Sequence, residues 1–492
     1  MKAVIISTEA VPFAKAGGVA DVAGALPKAL AELGVETALI MPYYRHVMRG
    51  DFGEERVERI RVRLGKNNKT GSVYEASIPG TDVPVYFISC EPLFNREGLY
   101  QERGVDYPDN VERFTFFSRG TLQAISVLGL NPDILHINGW QTGLLPLYLR
   151  SEYEEDFEKL PAILFTIHNV ANQGNFDKKY YPITNLDWRY FAVDGIEYYG
   201  QFSFIKSAIL YSDVLTTVSE RYAAEIQTNE YGYGMEALLK KRRNVLYGIL
   251  NGIDYDEWNP AKDEHLEAVY DADDLEGKTV CKEALLAENG FPDDGLPLVG
   301  MVNRFVDEKG FDILVEGIDG ILGRGCRYVL LGTGDRKYHR LFTEINKRHP
   351  KKFKVHLTFD EAMAHRIYAG CDIFLMPSRY EPCGWSQMIS MTYGTVPVVR
   401  ATGGLADTVA DVDKNPRAGV GFSFERYSGR ALVEALERAV STYKNDPDRW
   451  QKIMLRGMRK DFSWVNAAEK YVDVYGTAVN MAEERCKAKA SS

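Results

Sequence analysis

The chain is short of the features that would announce a disulfide framework, a metal centre or a membrane span. Its six cysteines, at positions 90, 281, 326, 371, 383 and 486, form no Cys-x-x-Cys pair. A zinc ribbon and a redox dithiol are therefore not expected, and reduced thiols are the plain reading. None of the eight histidines forms a pair at metal-ligand spacing. No apolar run approaches the ~18 residues needed to cross a bilayer. The N-terminus opens directly with the apolar run Ala3-Val4-Ile5-Ile6 rather than a basic segment and a cleavage site. A cytoplasmic location is expected, or the plastid stroma if the source is a plant. Excess positive charge is also missing: 59 Lys and Arg against 69 Asp and Glu leave a net charge of −10. That balance argues against nonspecific binding to nucleic acid or to an anionic membrane. An anionic ligand would have to be held by a few placed cations and backbone amides.

What is present is the material of α/β domains. At 492 residues the chain is too long for one core, so two to three domains are expected. Apolar runs such as "KAVIIS", "ETALIMP", "DILHI", "AILFTIH", "DVLTTVS", "LPLVGMV", "RYVLLGTG", "DIFLMPS" and "TVPVVR" alternate with helical patterns. Strands this apolar suit a parallel sheet covered on both faces, and the alternation implies doubly wound domains. "ERIRVRLGKNNKTGSVYEASI" reads instead as an antiparallel hairpin near 57–77, turning at "KNNKTG". Asn-Gly and Asn-Pro punctuate "GILNGIDYDEWNPAKD", which makes 248–263 the linker between domains at 1–247 and 264–468. The tail 469–492 is helical and either closes the second domain or crosses back to the first. Ligands of open parallel sheets bind beyond the strands' carboxyl ends, so two such domains are expected to face each other across a deep cleft.

Four clusters could carry chemistry. In "PFAKAGGVADV", Gly17 and Gly18 allow close backbone approach before a helix whose first amides favour an anion, and Lys15 adds a cation. By itself this reads rather as a packing turn beside a solvated lysine. "ATGGLADTV" repeats the pattern with Gly403 and Gly404; with Asp21 of the first copy these join the substrate-binding candidates. In "VNRFVDEKGFDIL", Arg304 and Lys309 can grip a pyrophosphate from two sides, or pair with Asp307 and Glu308. "MPSRYEPCGWSQ" follows another buried strand. Its Glu381 suits sugar hydroxyls, and the amides of Gly384, Trp385 and Ser386 suit phosphate; Cys383 reads as a buried thiol. In "FTIHNVANQGNF", His168 ends a strand beside Asn169, Gln173 and Gly174. His136 has a similar place, whereas His365 lies on a helix and reads as packing. Asp271/Asp273 and Asp411/Asp413 are weak metal candidates.

In this order the stretches "KAGGVADVAGALPKAL", "TIHNVANQG", "LTTVSERYAAEI", "GILNGIDYDEWNP", "NRFVDEKG", "LGTGD", "AHRIYAGCDIFLMPSRYEPCG" and "YGTVPVVRATGGLADTV" closely resemble bacterial glycogen synthases and plant starch synthases. The resemblance implies a GT-B fold, with two Rossmann-like domains and a C-terminal helix returning to the first. It implies a retaining transfer of glucose from ADP-glucose to the nonreducing 4-OH of an α-glucan, without a metal or other cofactor. Glycogen or maltooligosaccharide is the implied acceptor. Lys15 matches the lysine beside phosphates and sugar, Arg304 and Lys309 the pair on the leaving diphosphate, and Glu381 the glutamate on the donor glucose, with Cys383 its neighbour. His168 matches the histidine flanking the reacting sugar, and Tyr368 an aromatic near the adenine. The chain departs from the family at "HINGW", where Asn138 and Gly139 replace a usual His and Asp, and at Trp385 and Ser386. Ala16 and Val19 are milder changes. The missing carboxylate keeps open a nucleotide-sugar-binding protein of low turnover, and UDP-glucose or another acceptor as alternatives.

Overall fold

All nine of those apolar runs form strands in the computed structural model, which describes residues 1–50 and 52–490. The chain divides into two units: Met1–Val218, Ala223–Gly252 and Trp464–Ser492 in the first, Ser219–Tyr222 and Ile253–Ser463 in the second. Of the tail, 491 and 492 lie outside the described residues. Each unit is built on a sheet between helices, parallel wherever its strands are fully apolar.

In the first unit the spatial order of strands is Leu246–Gly248, Val214–Thr217, Ala162–Ile167, Ile134–Asn138, Lys2–Ile6, Glu36–Pro42, Pro84–Ile88, Asn67–Ser77 and Glu54–Leu64. The first seven run parallel, and the last two add antiparallel. The hairpin turns at Gly65 and Lys66 rather than along Lys66–Gly71, since Leu64 pairs with Asn67 and Gly65 takes φ +59. Asn67 and Asn68 join the ladder opposite Leu64 and Arg63. From Lys2–Ile6 the chain winds outward through Glu36–Pro42, then returns to lay Ile134–Asn138 on the other side. The winding direction therefore reverses at Lys2–Ile6 and Ile134–Asn138.

The C-terminal helix Trp464–Ala490 belongs to this unit and packs on the helix Val19–Glu32. Gly252 gives it room: a Cβ there would lie 2.6 Å from the Trp464 backbone. His136 is part of the same joint, fully buried, with ring nitrogens 2.7 Å from the Tyr475 hydroxyl and 2.6 Å from Thr166 Oγ1.

The second unit holds six parallel strands in the order Phe353–His356, Arg327–Leu331, Leu298–Val302, Ile373–Met376, Val396–Arg400 and Phe422–Phe424. Val299, Met301, Leu330, Ile373, Leu375 and Val398 fill its core with Phe305 from the loop after Leu298–Val302 and with Phe311 and Phe342 from the helical layer. Here the winding reverses between Leu298–Val302 and Ile373–Met376. Loops above such a reversal splay apart, which is where ligands of open α/β sheets bind.

Candidate active site

Three of the charged candidates stand on the two loops above the second unit's reversal. Leu298–Val302 leads to Arg304 and Lys309, and Ile373–Met376 leads to Glu381. Gly310 lets the loops touch: it takes φ +78, and a Cβ there would lie 2.1 Å from the Pro377 carbonyl oxygen. The contact brings Lys309 Nζ to 2.7 Å from Glu381 Oε2, with side-chain exposures of 18% and 9%. Ser378 Oγ donates to the same oxygen at 3.1 Å. An ion pair this enclosed depends on both members, because either left alone is a buried charge without compensation. Arg304 is exposed and has no ion-pair partner among the described residues. Asp307 does not pair with Arg304 or Lys309; it binds Lys337 and Tyr338.

Cys383 is buried, as expected of a packed thiol. Gly384 takes φ +75 just before the short helix Ser386–Thr392, whose N-cap is Trp385. Gln387 Nε2 donates to the carbonyls of Cys383 and Gly384, bracing this turn from behind. Tyr368, expected beside a base, is buried against Trp258, Phe374 and Tyr393. Its hydroxyl bonds Ser386, and burial pushes its pKa up to about 12. The structure thus makes it a support for the Ser386 turn. Gly403 and Gly404 also differ from expectation. A Cβ on either would lie about 2 Å from the carbonyl oxygen of Glu381 or Cys383, and the Gly404 amide donates to Glu381 and Pro382. Their glycines clear space for the Glu381 loop instead of for a ligand. The two Gly-Gly-x-Ala-Asp strings do not mark equivalent points: one follows the first strand of its unit, the other Val396–Arg400, and Asp407 accepts the Arg221 amide while Asp21 pairs with Lys15.

In the first unit, the loop after Lys2–Ile6 is organised by a residue the sequence reading missed. Glu9 is buried, and its Oε2 accepts the amides of Ala16 at 2.6 Å and Gly17 at 2.7 Å. Tyr100 donates to Oε1 at 2.7 Å. Burial raises the Glu9 pKa, while Tyr100 and the two amides pull the other way. A carboxylate three residues past a strand end and a few before the glycine pair was the available signal. Neither Gly17 nor Gly18 has positive φ, and nothing lies within 4 Å of a Cβ built at Gly17. Glycine here keeps a surface bare. Lys15 Nζ meets Asp21 Oδ1 at 2.7 Å, but Lys15 is 57% exposed, so the contact is a weak tether.

Asn138 and Gly139 lie above the neighbouring strand. Asn138 Nδ2 points at the carbonyls of Ile6 and His136, each 3.4 Å away, which turns Oδ1 toward His168 Nε2 at 2.9 Å. His168 therefore carries its proton on Nε2 and leaves Nδ1 as an acceptor. Burial lowers its pKa to about 4, so the ring is neutral near pH 7. Gly139 has φ +74 and ψ +163, a conformation essentially confined to glycine. Asn169 Oδ1 accepts the Ala171 amide. Gln173 bonds the Tyr233 carbonyl and Asn175, so its side chain braces a loop. Asp411 and Asp413, weak metal candidates, are held by Arg438, and Asp413 also by Arg449. Arg459 pairs with Asp273.

Among the described residues no helix is long and apolar enough to cross a membrane. Starch synthase catalytic domain is the family matching residues 2–241, and Glycosyl transferases group 1 matches 283–453. A glycogen synthase of Thermosipho africanus is 44% identical over 98% of this chain and 99% of that protein. One of Syntrophotalea carbinolica is 44% identical over the same shares. Among solved structures, the catalytic domain of Arabidopsis thaliana starch synthase IV, bound to ADP and acarbose, matches 97% of this chain and 99% of its own, with TM-score 0.87 and 34% identity. A sucrose-phosphate synthase of Thermosynechococcus elongatus shares the fold at TM-score 0.58 and 17% identity. The chain belongs to the glycogen/starch synthase family of GT-B glycosyltransferases and is a hexosyltransferase.

Proposed function

We propose that the enzyme moves glucose from ADP-glucose to the nonreducing 4-OH of an α-1,4-glucan, with retention and without a metal ion. The Lys309–Glu381 pair beside Arg304, above the second unit's winding reversal, carries this reading. The ADP held by the Arabidopsis relative supports ADP as the leaving group. As the bond between glucose C1 and the diphosphate breaks, negative charge grows on the departing phosphate. Arg304 presents a planar fork to it and Lys309 a point charge. Losing one such donor typically costs about 3–4 kcal/mol of barrier. Glu381 fixes Lys309 through Oε2 and offers Oε1 to hydroxyls of the donor glucose. The acceptor oxygen attacks the face that the phosphate leaves, and its proton passes to that phosphate. On the first unit, bare backbone at Gly17, held by Glu9, suits an anion together with Lys15. His168 is neutral and oriented by Asn138, a polar wall for a ligand of the first unit.

The test is nucleotide release from ADP-glucose and, separately, UDP-glucose, with glycogen or maltooligosaccharide and with EDTA present. Glucan-dependent ADP release that EDTA leaves unchanged is expected. Release only from UDP-glucose would overturn the donor, and loss with EDTA the metal-free chemistry. Binding without turnover would favour the low-turnover reading, for which the missing carboxylate at Gly139 is the specific observation.

A further inference from the structure

We propose that Glu257, Glu361 and His365 form a binding site for a zinc-type transition-metal dication, a role separate from glucosyl transfer. The helix Glu361–Gly370 is capped by Asp360, whose side chain accepts the Met363 amide. Glu361 and His365 are four residues apart, one above the other on one helix face. Glu257 comes from the segment that opens the second unit. One ligand atom from each of the three side chains lies within 4.8 Å of the others. Four ligands at ~2.0–2.1 Å around a tetrahedral ion stand roughly 3.4 Å apart, so from the 4.8 Å bound closure needs at most about 1.4 Å of approach between ligand atoms. Exposed Glu361 can supply much of it by changing rotamer.

The histidine needs no such adjustment. His365 is 2% exposed, and the Trp258 indole lies flat on its ring at 4.0 Å and 10°. Its hydrogen-bond contacts among the described residues fall on Nδ1, to Asp263 Oδ2 at 2.7 Å and the Tyr393 hydroxyl at 3.4 Å. Asp263 Oδ2 also accepts from Tyr393 at 2.6 Å, and Oδ1 from the His265 amide at 2.9 Å. A carboxylate receiving three donors keeps the proton on Nδ1 and leaves the Nε2 lone pair as the ligand. Carboxylate–histidine–metal is the usual way a ligating imidazole is oriented. One nitrogen and two carboxylates select zinc-type ions over calcium or magnesium, which prefer oxygen alone. Three protein ligands leave the remaining coordination to water. The ion would clasp the Glu257 segment to the helix carrying Tyr368, which Trp258 also touches.

The experiment titrates the full chain, stripped with EDTA and desalted, with zinc chloride by calorimetry, and records thermal unfolding with and without zinc. One equivalent should bind and raise the melting temperature. Glu257→Gln and Glu361→Gln should each weaken binding about tenfold or more, and Glu361→Gln should leave the metal-free melting temperature unchanged. His365→Gln should abolish binding; if it fails to fold, the two glutamate variants decide. Three results would overturn the proposal: no zinc binding by the wild type, unchanged binding in the Glu257→Gln/Glu361→Gln double variant, or calcium binding in place of zinc with the same residue dependence.

Discussion

Restoring the family's carboxylate at position 139 should fail, and the backbone says by how much. Gly139 sits at φ +74 and ψ +163, where a side chain costs about 1–3 kcal/mol. A Cβ there would lie 2.8 Å from Gln141 Oε1, the end of a flexible side chain that can swing away, so the backbone strain dominates. Relaxation is blocked on both sides. Asn138 pairs in register with Thr166, and Trp140 is wedged among Phe114, Phe176 and Phe204. Gly139→Ala and Gly139→Asp carry the same Cβ, so urea unfolding should show both losing about 1–3 kcal/mol, nearly equally. Turnover should fall in both, because the strain falls on the peptide joined to Asn138, the residue that orients His168. A Gly139→Asp enzyme with wild-type stability and raised turnover would refute this: the loop would then still accept the carboxylate.

Lys309→Ala and Glu381→Ala should each nearly abolish transfer, and each should lose about 3–5 kcal/mol of stability as the partner charge is stranded. The double variant should be less destabilised than the sum of the two; additive losses by urea unfolding would mean the pair is not coupled. Glu9→Ala leaves the Ala16 and Gly17 amides without their acceptor, at about 1–3 kcal/mol, and should lower transfer roughly tenfold or more; Glu9→Gln, which keeps an oxygen, should recover part of it, and an unchanged Glu9→Ala rate would remove its positioning role. Burial holds His168 at about 4 and His136 at about 3, below the ordinary 6.5, so their neutral forms contribute stability in full above pH 6.5 and lose it as pH falls toward 4 and 3. Urea midpoints should therefore already decline between pH 6.5 and 5, above the range of ordinary carboxylates; a flat profile there would contradict the burial of both rings.

The strands legible in the sequence were those buried on both faces, whose apolar runs leave little ambiguity. Leu246–Gly248, Phe353–His356 and Phe422–Phe424 were not, being short or interrupted by polar residues. The Lys309 and Glu381 loops could be found because each follows such a run, but their meeting depends on strand order and on the Gly310–Pro377 contact, which no local pattern encodes. Glycine pairs were misleading: Gly17 keeps a surface bare whereas Gly403 and Gly404 make room for another loop, and only the neighbours distinguish them. Glu9 and Asn138 escaped notice as functional residues because their work is done through backbone amides and through another side chain.

The most direct test of the central claim, that the cations above the second unit's reversal receive the donor's diphosphate, is a crystal structure with ADP-glucose bound. The account predicts both phosphates within hydrogen-bond reach of Arg304 and Lys309, with Glu381 on the glucose hydroxyls. Phosphates bound elsewhere, with Arg304 facing solvent and the Lys309–Glu381 pair undisturbed, would contradict it.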